Sequence, residues 1–348
     1  MKNKILSIII IISICFVTGC NDDSKKIEYK ETDMKVVTSL EDKIESDTVW
    51  CGTFNLIWND LKNELVKKDI VFKNQTDIIN NLNKGTFNVN NLSEDSYYKV
   101  YDHPSLELKE RIKEAIKNKF NETSDILDDF DWTNVSSKDY FLYVMLKKNF
   151  EFEKEFTDLG IAKFRDKDTE YFGIDDKTSY EVREQVKVLY YNNDADFAIK
   201  LLTKGNDEVI ISKGNTEDNF KNAYDKIISD SLKYTGKKEF KSNDTLKIPN
   251  IKFKLKKEIE AVENKEFKFA NGDTYIISKA LQTIEFELDK KGGKIKSEAG
   301  MMARLSSIDV GRVRNFVLDD TFTIFLKEKN KDLPYFASRI TNIKNIQQ

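Results

Sequence analysis

The chain has 348 residues, with 57 Lys and Arg against 60 Asp and Glu and a formal charge of −3. The two signs are interspersed, which argues against nucleic acid as a partner, because such binders concentrate basic residues on one face. A single histidine excludes a zinc site built on several of them.

Lys2 and Lys4 precede an apolar run from Ile5 to Phe16, and Val17-Thr18-Gly19-Cys20 follows. A basic head, about a dozen apolar residues and small residues before a cut describe a secretory signal, since a membrane span needs about twenty. The Cys directly after Thr-Gly resembles the lipobox of bacterial lipoproteins. That resemblance implies a signal over residues 1–19, a lipidated Cys20 as first mature residue, and anchoring on the extracytoplasmic face of a cell membrane. Cys15 would leave with the signal and Cys20 would carry lipid, so Cys51 is the remaining thiol and the fold must rest on its apolar core. Residues 20–47 are mostly charged and polar, a composition that buries too little surface to offset ordering. They are expected to form a flexible stalk, with the domain spanning residues 48–348.

Trp50, Phe54, Trp58, Leu61 and Leu65 recur at spacings of three and four and predict one face of a helix. Ser105 is placed to cap a second helix with Leu106, Ile112, Ala115, Ile116 and Phe120 inward. The N-terminal third is therefore expected to be helical. Tyr140 to Leu146 is a continuous apolar run that predicts a strand buried on both faces. Strands follow over Val186 to Tyr191, Phe197 to Leu202 and Glu208 to Ser212, and a helical period returns over Glu217 to Ser231. Alternation then predicts strands through Ile251, Phe253 and Leu255, through Ile284, Phe286 and Leu288, through Phe322, Ile324 and Leu326, and through Phe336, Ser338 and Ile340. With three prolines and thirteen glycines there is no Pro-rich linker. The reading is one large α+β domain, helices first and mixed or antiparallel sheets later.

Catalytic chemistry is poorly represented. His103 would have to serve any Ser-His-Asp triad or cysteine nucleophile, yet it sits before Pro104 in a turn. Cys51 falls within the amphipathic helix predicted around Trp50 and is expected to be buried rather than reactive. Lys290-Lys-Gly-Gly-Lys294 lacks P-loop spacing. Asp128, Asp129 and Asp131 lack EF-hand spacing and read as a solvated helix end. No enzyme activity, metal or cofactor is expected.

The C-terminal third carries a resemblance. Ala280-Leu-Gln-Thr-Ile-Glu-Phe-Glu-Leu-Asp289 runs into a Gly-containing turn, then Lys296-Ser-Glu-Ala-Gly300, an irregular stretch, and Thr321 to Leu326. Leu333-Pro-Tyr-Phe-Ala-Ser-Arg-Ile-Thr-Asn342 closes it. This resembles the C-terminus of serpins: a strand, a small-residue hinge, a reactive loop, then two strands. Leu246 to Lys254 resembles the serpin strand with a Leu-Pro-x-Phe motif, and Tyr140 to Phe156 resembles the family's central strand. The resemblance implies a serpin-like α+β domain and a reactive loop that enters a sheet after cleavage, with a protease or another protein as partner.

Entry into a sheet demands that alternate side chains suit a core. Ser297, Ala299, Met301, Ala303, Leu305 and Ser307 form an uncharged set, and Glu298, Gly300, Met302, Arg304, Ser306 and Ile308 form the opposite one. On the family register the scissile bond falls near Val310-Gly311, with Arg312 and Arg314 as alternatives for a trypsin-like protease. The same alternation also suits an ordinary buried strand followed by a surface loop. The chain departs from the family pattern in its bulky Met301 and Met302, and in Val144 and Phe152 where Asn and Trp are usual. The rival expectation is a non-inhibitory solute- or partner-binding lipoprotein with Trp58, Trp132 and Tyr190 lining a cleft.

Overall fold

In the computed structural model, residues 34–293 and 313–345 are described. The chain begins with β1 (Lys35–Val37) and β2 (Thr48–Cys51), then α1 (Thr53–Asp60), which runs into a π-helical turn at Leu61–Val66. α2 (Asp77–Lys84), β3 (Tyr97–Asp102), α3 (Leu106–Phe120), β4 (Phe141–Leu146) and β5 (Phe150–Glu151) follow. Next come β6 (Thr157–Phe164), β7 (Lys167–Ile174), α4 (Tyr180–Glu184), β8 (Val186–Asn193), β9 (Asp196–Leu202), β10 (Asp207–Lys213) and α5 (Phe220–Lys233). β11 (Thr245–Pro249), β12 (Ile251–Glu258), β13 (Glu266–Lys268), β14 (Thr274–Ile276), β15 (Leu281–Leu288) and β16 (Gly292–Gly293) lead to the second described stretch. That stretch holds β17 (Asn315–Val317), β18 (Phe322–Glu328) and β19 (Phe336–Ile340).

A seven-stranded sheet, ordered β1-β2-β19-β18-β10-β9-β8, forms the centre. Every residue of β18 and β19 is buried, which is why their apolar content exceeds simple alternation. A four-stranded sheet, β17-β11-β7-β6, lies beside it, and two ribbons, β3-β4 and β12-β15, complete the main framework. The largest apolar cluster joins the central sheet, α5 and the inner faces of β12 and β15. A second gathers α1 and α2 with Phe267 and Phe269, and a third gathers α3, Trp132, Phe141 and Tyr143.

The predicted strands and the helix at α5 stand where alternation placed them. Ser105 caps α3, accepting from the Leu108 N–H at 3.0 Å. Leu106, expected inward, is exposed, and Leu108 takes that place with Ile112 and Ile116. The N-terminal third is not uniformly helical: Trp50 and Cys51 belong to β2, and only from Thr53 does the chain coil. Pairing of β2 with β19 and β1 outweighs the helical spacing of Trp50 with Phe54. Among the described residues β4 has one ladder partner, β3, and it is buried unevenly rather than on both faces.

The stalk expectation also needs correction over residues 34–47. Met34, Val37, Leu40 and Ile44 are buried in the main cluster. Asp42 accepts from the Thr38 and Ser39 amides, both at 3.0 Å, and Asp47 accepts from the Asn342 amide at 2.9 Å. Four apolar anchors and two turn-closing carboxylates hold this charged segment in the fold.

Candidate functional site: a cleft between two strand edges

In the β3-β4 and β12-β15 ribbons each strand has one edge without a ladder among the described residues. The free edges of β4 and β15 line one cleft of about 450 Å³. Phe54 and Ile57 of α1, with Cys51 and Phe336, form its floor. Val144, Ile284, Phe286 and Leu288 face this core side, whereas Phe141 and Tyr143 face the α3 side. Unpaired edges in a protein interior are a template for a further strand.

The outer side is crossed by residues 122–126. Glu122 pairs with Lys147 after β4. Asp125 pairs with Lys254 of β12 at 3.2 Å, and Asp129 pairs with Lys256. Burial raises the Tyr143 hydroxyl to about 12 despite a hydrogen bond with Ser124. One strap thus ties both ribbons together. On the wall, Gln282 donates to the Cys51 carbonyl at 3.0 Å and to Thr53 Oγ1 at 2.9 Å, but its buried Oε1 has no partner among the described residues.

One end of the cleft already holds a short strand. After β15 the chain turns tightly, with reciprocal bonds between Asp289 and Gly292 at 3.3 and 3.2 Å. β16 then pairs antiparallel with β5, Gly292 against Glu151 and Gly293 against Phe150. β16 therefore sits between β15 and the continuation of β4. Gly292 is required here: its φ is +118°, and a Cβ would stand 2.5 Å from the Phe150 carbonyl oxygen. Gly292→Ala should break the β16–β5 pairing, seen as faster amide exchange at Phe152, whose N–H donates to the Lys291 carbonyl at 3.0 Å.

Lys148 lies at this end and lines the cleft. Its ammonium pairs with Glu328 at 2.7 Å and Asp207 at 3.1 Å, and both acids are buried. Tyr335 donates to Asp207 at 3.0 Å, and Ser96 donates to Glu328 at 3.1 Å. Ser93 adds a backbone donor to Glu328 at 3.1 Å. Burial raises the Asp207 carboxyl above its ordinary value, with Lys148 and Tyr335 acting against it. Glu328 is also buried, yet the bonds from Lys148 and Ser93 hold it below its ordinary value. Two carboxylates share one cation, and the cluster ties the β3-β4 ribbon to the central sheet.

Most of the reactive segment read from the sequence, Ser297 through Arg312 with Val310 and Gly311, lies outside the described residues. So does Cys20. Arg314 lies inside them, and it corrects one expectation: its side chain is buried against Asp244 and is not presented to a protease. The residues proposed for a ligand cleft are not brought together either. Trp58, Trp132 and Tyr190 are buried in three different apolar clusters. His103 is exposed, its ring against Tyr140 at 4.7 Å, while Cys51 is buried in β2 with its thiol raised by burial. Asp128 pairs with Lys109 at 2.8 Å, and Asp131 accepts from the Thr133 and Asn134 amides at 2.8 and 3.1 Å. The acidic run is therefore engaged in closing local structure. Among the described residues no helix is long and apolar enough to cross a membrane.

No protein-family model and no curated protein matches the chain. Solved structures do. Human thyroxine-binding globulin complexed with thyroxine is similar at 10% identity over 85% of this chain and 92% of that one, with a TM-score of 0.50. Serpin48 of the insect Tenebrio molitor is 12% identical over 86% of this chain and 92% of its own, with a TM-score of 0.47. Human glycosylated kallistatin is 8% identical over 85% and 92%, with a TM-score of 0.48. At such identities the likeness is one of fold. The chain carries a serpin-like α+β domain, as its C-terminal motifs led us to expect.

Proposed function

We propose that this protein is a lipoprotein, held by a lipidated Cys20 on the extracytoplasmic face of a cell membrane, whose domain inhibits a protease by taking its own cleaved segment into the β4–β15 cleft. The observation that carries this reading is the placement of β16 between the two free edges. Its pairing with β5 and its turn from β15 both begin antiparallel ladders. Extended without a bulge, they would set Ser297 opposite Leu146 and Ile284, Ala299 opposite Val144 and Gln282, and Met301 opposite Leu142. Directly opposed residues share a face, and Val144 and Ile284 face the core. The same parity would turn the uncharged set inward, including Ala303, Leu305 and Ser307, and send Glu298 and Arg304 outward. The family register still favours a cut near Val310-Gly311 or Arg312.

The test is limited proteolysis of the full chain, with mass mapping and a thermal melt before and after. Filling the cleft adds about eight rungs at about 1 kcal/mol each, or roughly 15–30 °C at about 2–4 °C per kcal/mol. A cut between Arg304 and Val313 with such a rise supports strand entry, and trapping of the attacking protease would complete the case. A cut without a rise leaves a non-inhibitory, partner-binding lipoprotein on the same frame.

A further inference from the structure

The β3-β4 ribbon ends, on the side away from Lys148, in a row of aromatic rings at the surface. One step beyond its last rung, Asp102 with Phe141, His103 and Tyr140 lie ring to ring at 4.7 Å. His103 Nδ1 donates to the Asp139 carbonyl at 2.7 Å, which fixes that ring. Tyr140 also lies 5.9 Å from Phe269 and 6.2 Å from Tyr275, and the last two are stacked at 3.8 Å. The β13-β14 register sets Tyr275 opposite Phe267, and opposed residues share a face, so the hairpin turns these rings toward the ribbon. Tyr101 stands two residues before His103 and therefore on the same face. Phe267 and Phe269 are buried beneath, whereas Tyr101 and Tyr140 are 39% and 36% exposed and His103 is exposed as well. A buried aromatic base thus carries an open aromatic rim.

Two carboxylates flank that rim. Burial, then Tyr140, Asp273 and Asp139, raise the Tyr275 hydroxyl above its ordinary value, which places both acids within electrostatic reach of the rings. Asp139 accepts from the Ser136 amide at 2.7 Å, and Asp273 accepts from the Asn271 side chain at 2.9 Å. Among the described residues neither acid has an ion pair, and no cation lies over Tyr101, Tyr140 or Tyr275. Arg111 is engaged by Asp102 at 2.6 Å, and Lys138, exposed beside Asp139, lies over none of these rings. Ring faces carry negative potential and attract a cation placed over them. Guanidinium suits the site better than ammonium, because it stacks flat on a ring while its N–H groups reach a carboxylate. In an extended segment, side chains on one face recur about every 7 Å, close to the 6.2 Å step from Tyr140 to Tyr275.

We propose that this aromatic face docks an extended, arginine-bearing segment of a partner protein, with guanidinium groups over Tyr140 and Tyr275 and hydrogen bonds to Asp139 and Asp273. The site is separate from the β4–β15 cleft and does not depend on strand entry. The experiment titrates the full chain with a labelled, end-blocked Arg-Gly-Arg-Gly-Arg peptide, its lysine counterpart, and phosphatidylcholine vesicles. The expected result is saturable binding of the arginine peptide, at least about fivefold tighter than the lysine one. Tyr140→Leu and Tyr275→Leu keep apolar bulk but lose the ring face, and each should weaken binding at least about fivefold. Asp139→Asn should weaken it and flatten its salt dependence, while Asp176→Asn, an exposed acid before α4, leaves it unchanged. Ring variants that bind as wild type does, or an equal loss in Asp176→Asn, would reduce the attraction to net charge and overturn the proposal. No binding of the arginine peptide, or binding of the vesicles alone, overturns it too. Should the tyrosine variants not fold, the comparison of Asp139→Asn with Asp176→Asn decides by the same criterion.

Discussion

Met301→Glu is expected to abolish the thermal stabilisation that follows cleavage, while Met302→Glu leaves it in place. The two variants add the same charge one residue apart, so composition, solubility and protease access are matched. What differs is parity. If the register begun by β16 continues as proposed, residue 301 would enter the inner side opposite Leu142 and residue 302 the outer side. A carboxylate driven onto the apolar floor of Cys51, Phe54, Ile57 and Phe336 would lose its hydration, and an unpaired buried charge costs several kcal/mol. Ala299→Glu, opposite Val144 and Gln282, should behave like Met301→Glu. The measurement is the melting temperature of each variant before and after the same cut. Equal stabilisation of all three would refute the register, and equal loss would mean the segment's environment is not two-faced.

The second large effect concerns Lys148. Lys148→Met should destabilise the uncut protein by about 3–5 kcal/mol at neutral pH, the cost of leaving buried acids without their counter-charge. Asp207→Asn should be neutral or stabilising. The signs follow from the two carboxyls. Asp207 has its folded pKa raised above 3.8 by burial, so its ionisation opposes folding at neutral pH and that cost disappears as pH falls through the folded value. Glu328 is held below 4.5 against its own burial by Lys148 and Ser93, so it contributes stability at neutral pH that is lost as pH falls through its folded value. The deficit of Lys148→Met should accordingly shrink in the acid range, because a protonated carboxyl needs no cation. Urea unfolding at several pH values measures all of this. A deficit that does not change with pH would show that Lys148 acts through packing.

Much of this fold was legible in the chain. Strands with one wet face announce themselves by alternation, as at Ile251, Phe253 and Leu255 or at Ile284, Phe286 and Leu288. The alternation of the 297–307 set is plain in the sequence, but those residues lie outside the described ones and the set stands as part of the proposal. Three features were hidden for physical reasons. Residues 34–47 look soluble because their charges outnumber Met34, Val37, Leu40 and Ile44, and those four find a core only with distant parts of the chain, β19 by way of β2 and the start of α5. Trp50 keeps helical spacing with Phe54 but lies in a strand, since ladder partners override local period. The Lys148 cluster joins Ser93, Lys148, Asp207, Glu328 and Tyr335 from remote parts of the sequence, and no local pattern reports such a meeting. Arg314 could have been suspected from its neighbour Phe316, but only the position of Asp244 turns it from a bait into a buried ion-pair partner.

The early start of the folded domain sets a working radius. Because Met34 is already packed, only residues 21–33 would separate the domain from a lipid on Cys20, and they extend at most about 45 Å. Such an inhibitor would patrol a thin shell over its own cell and search in two dimensions. It would intercept proteases arriving at that surface and leave those acting farther out untouched.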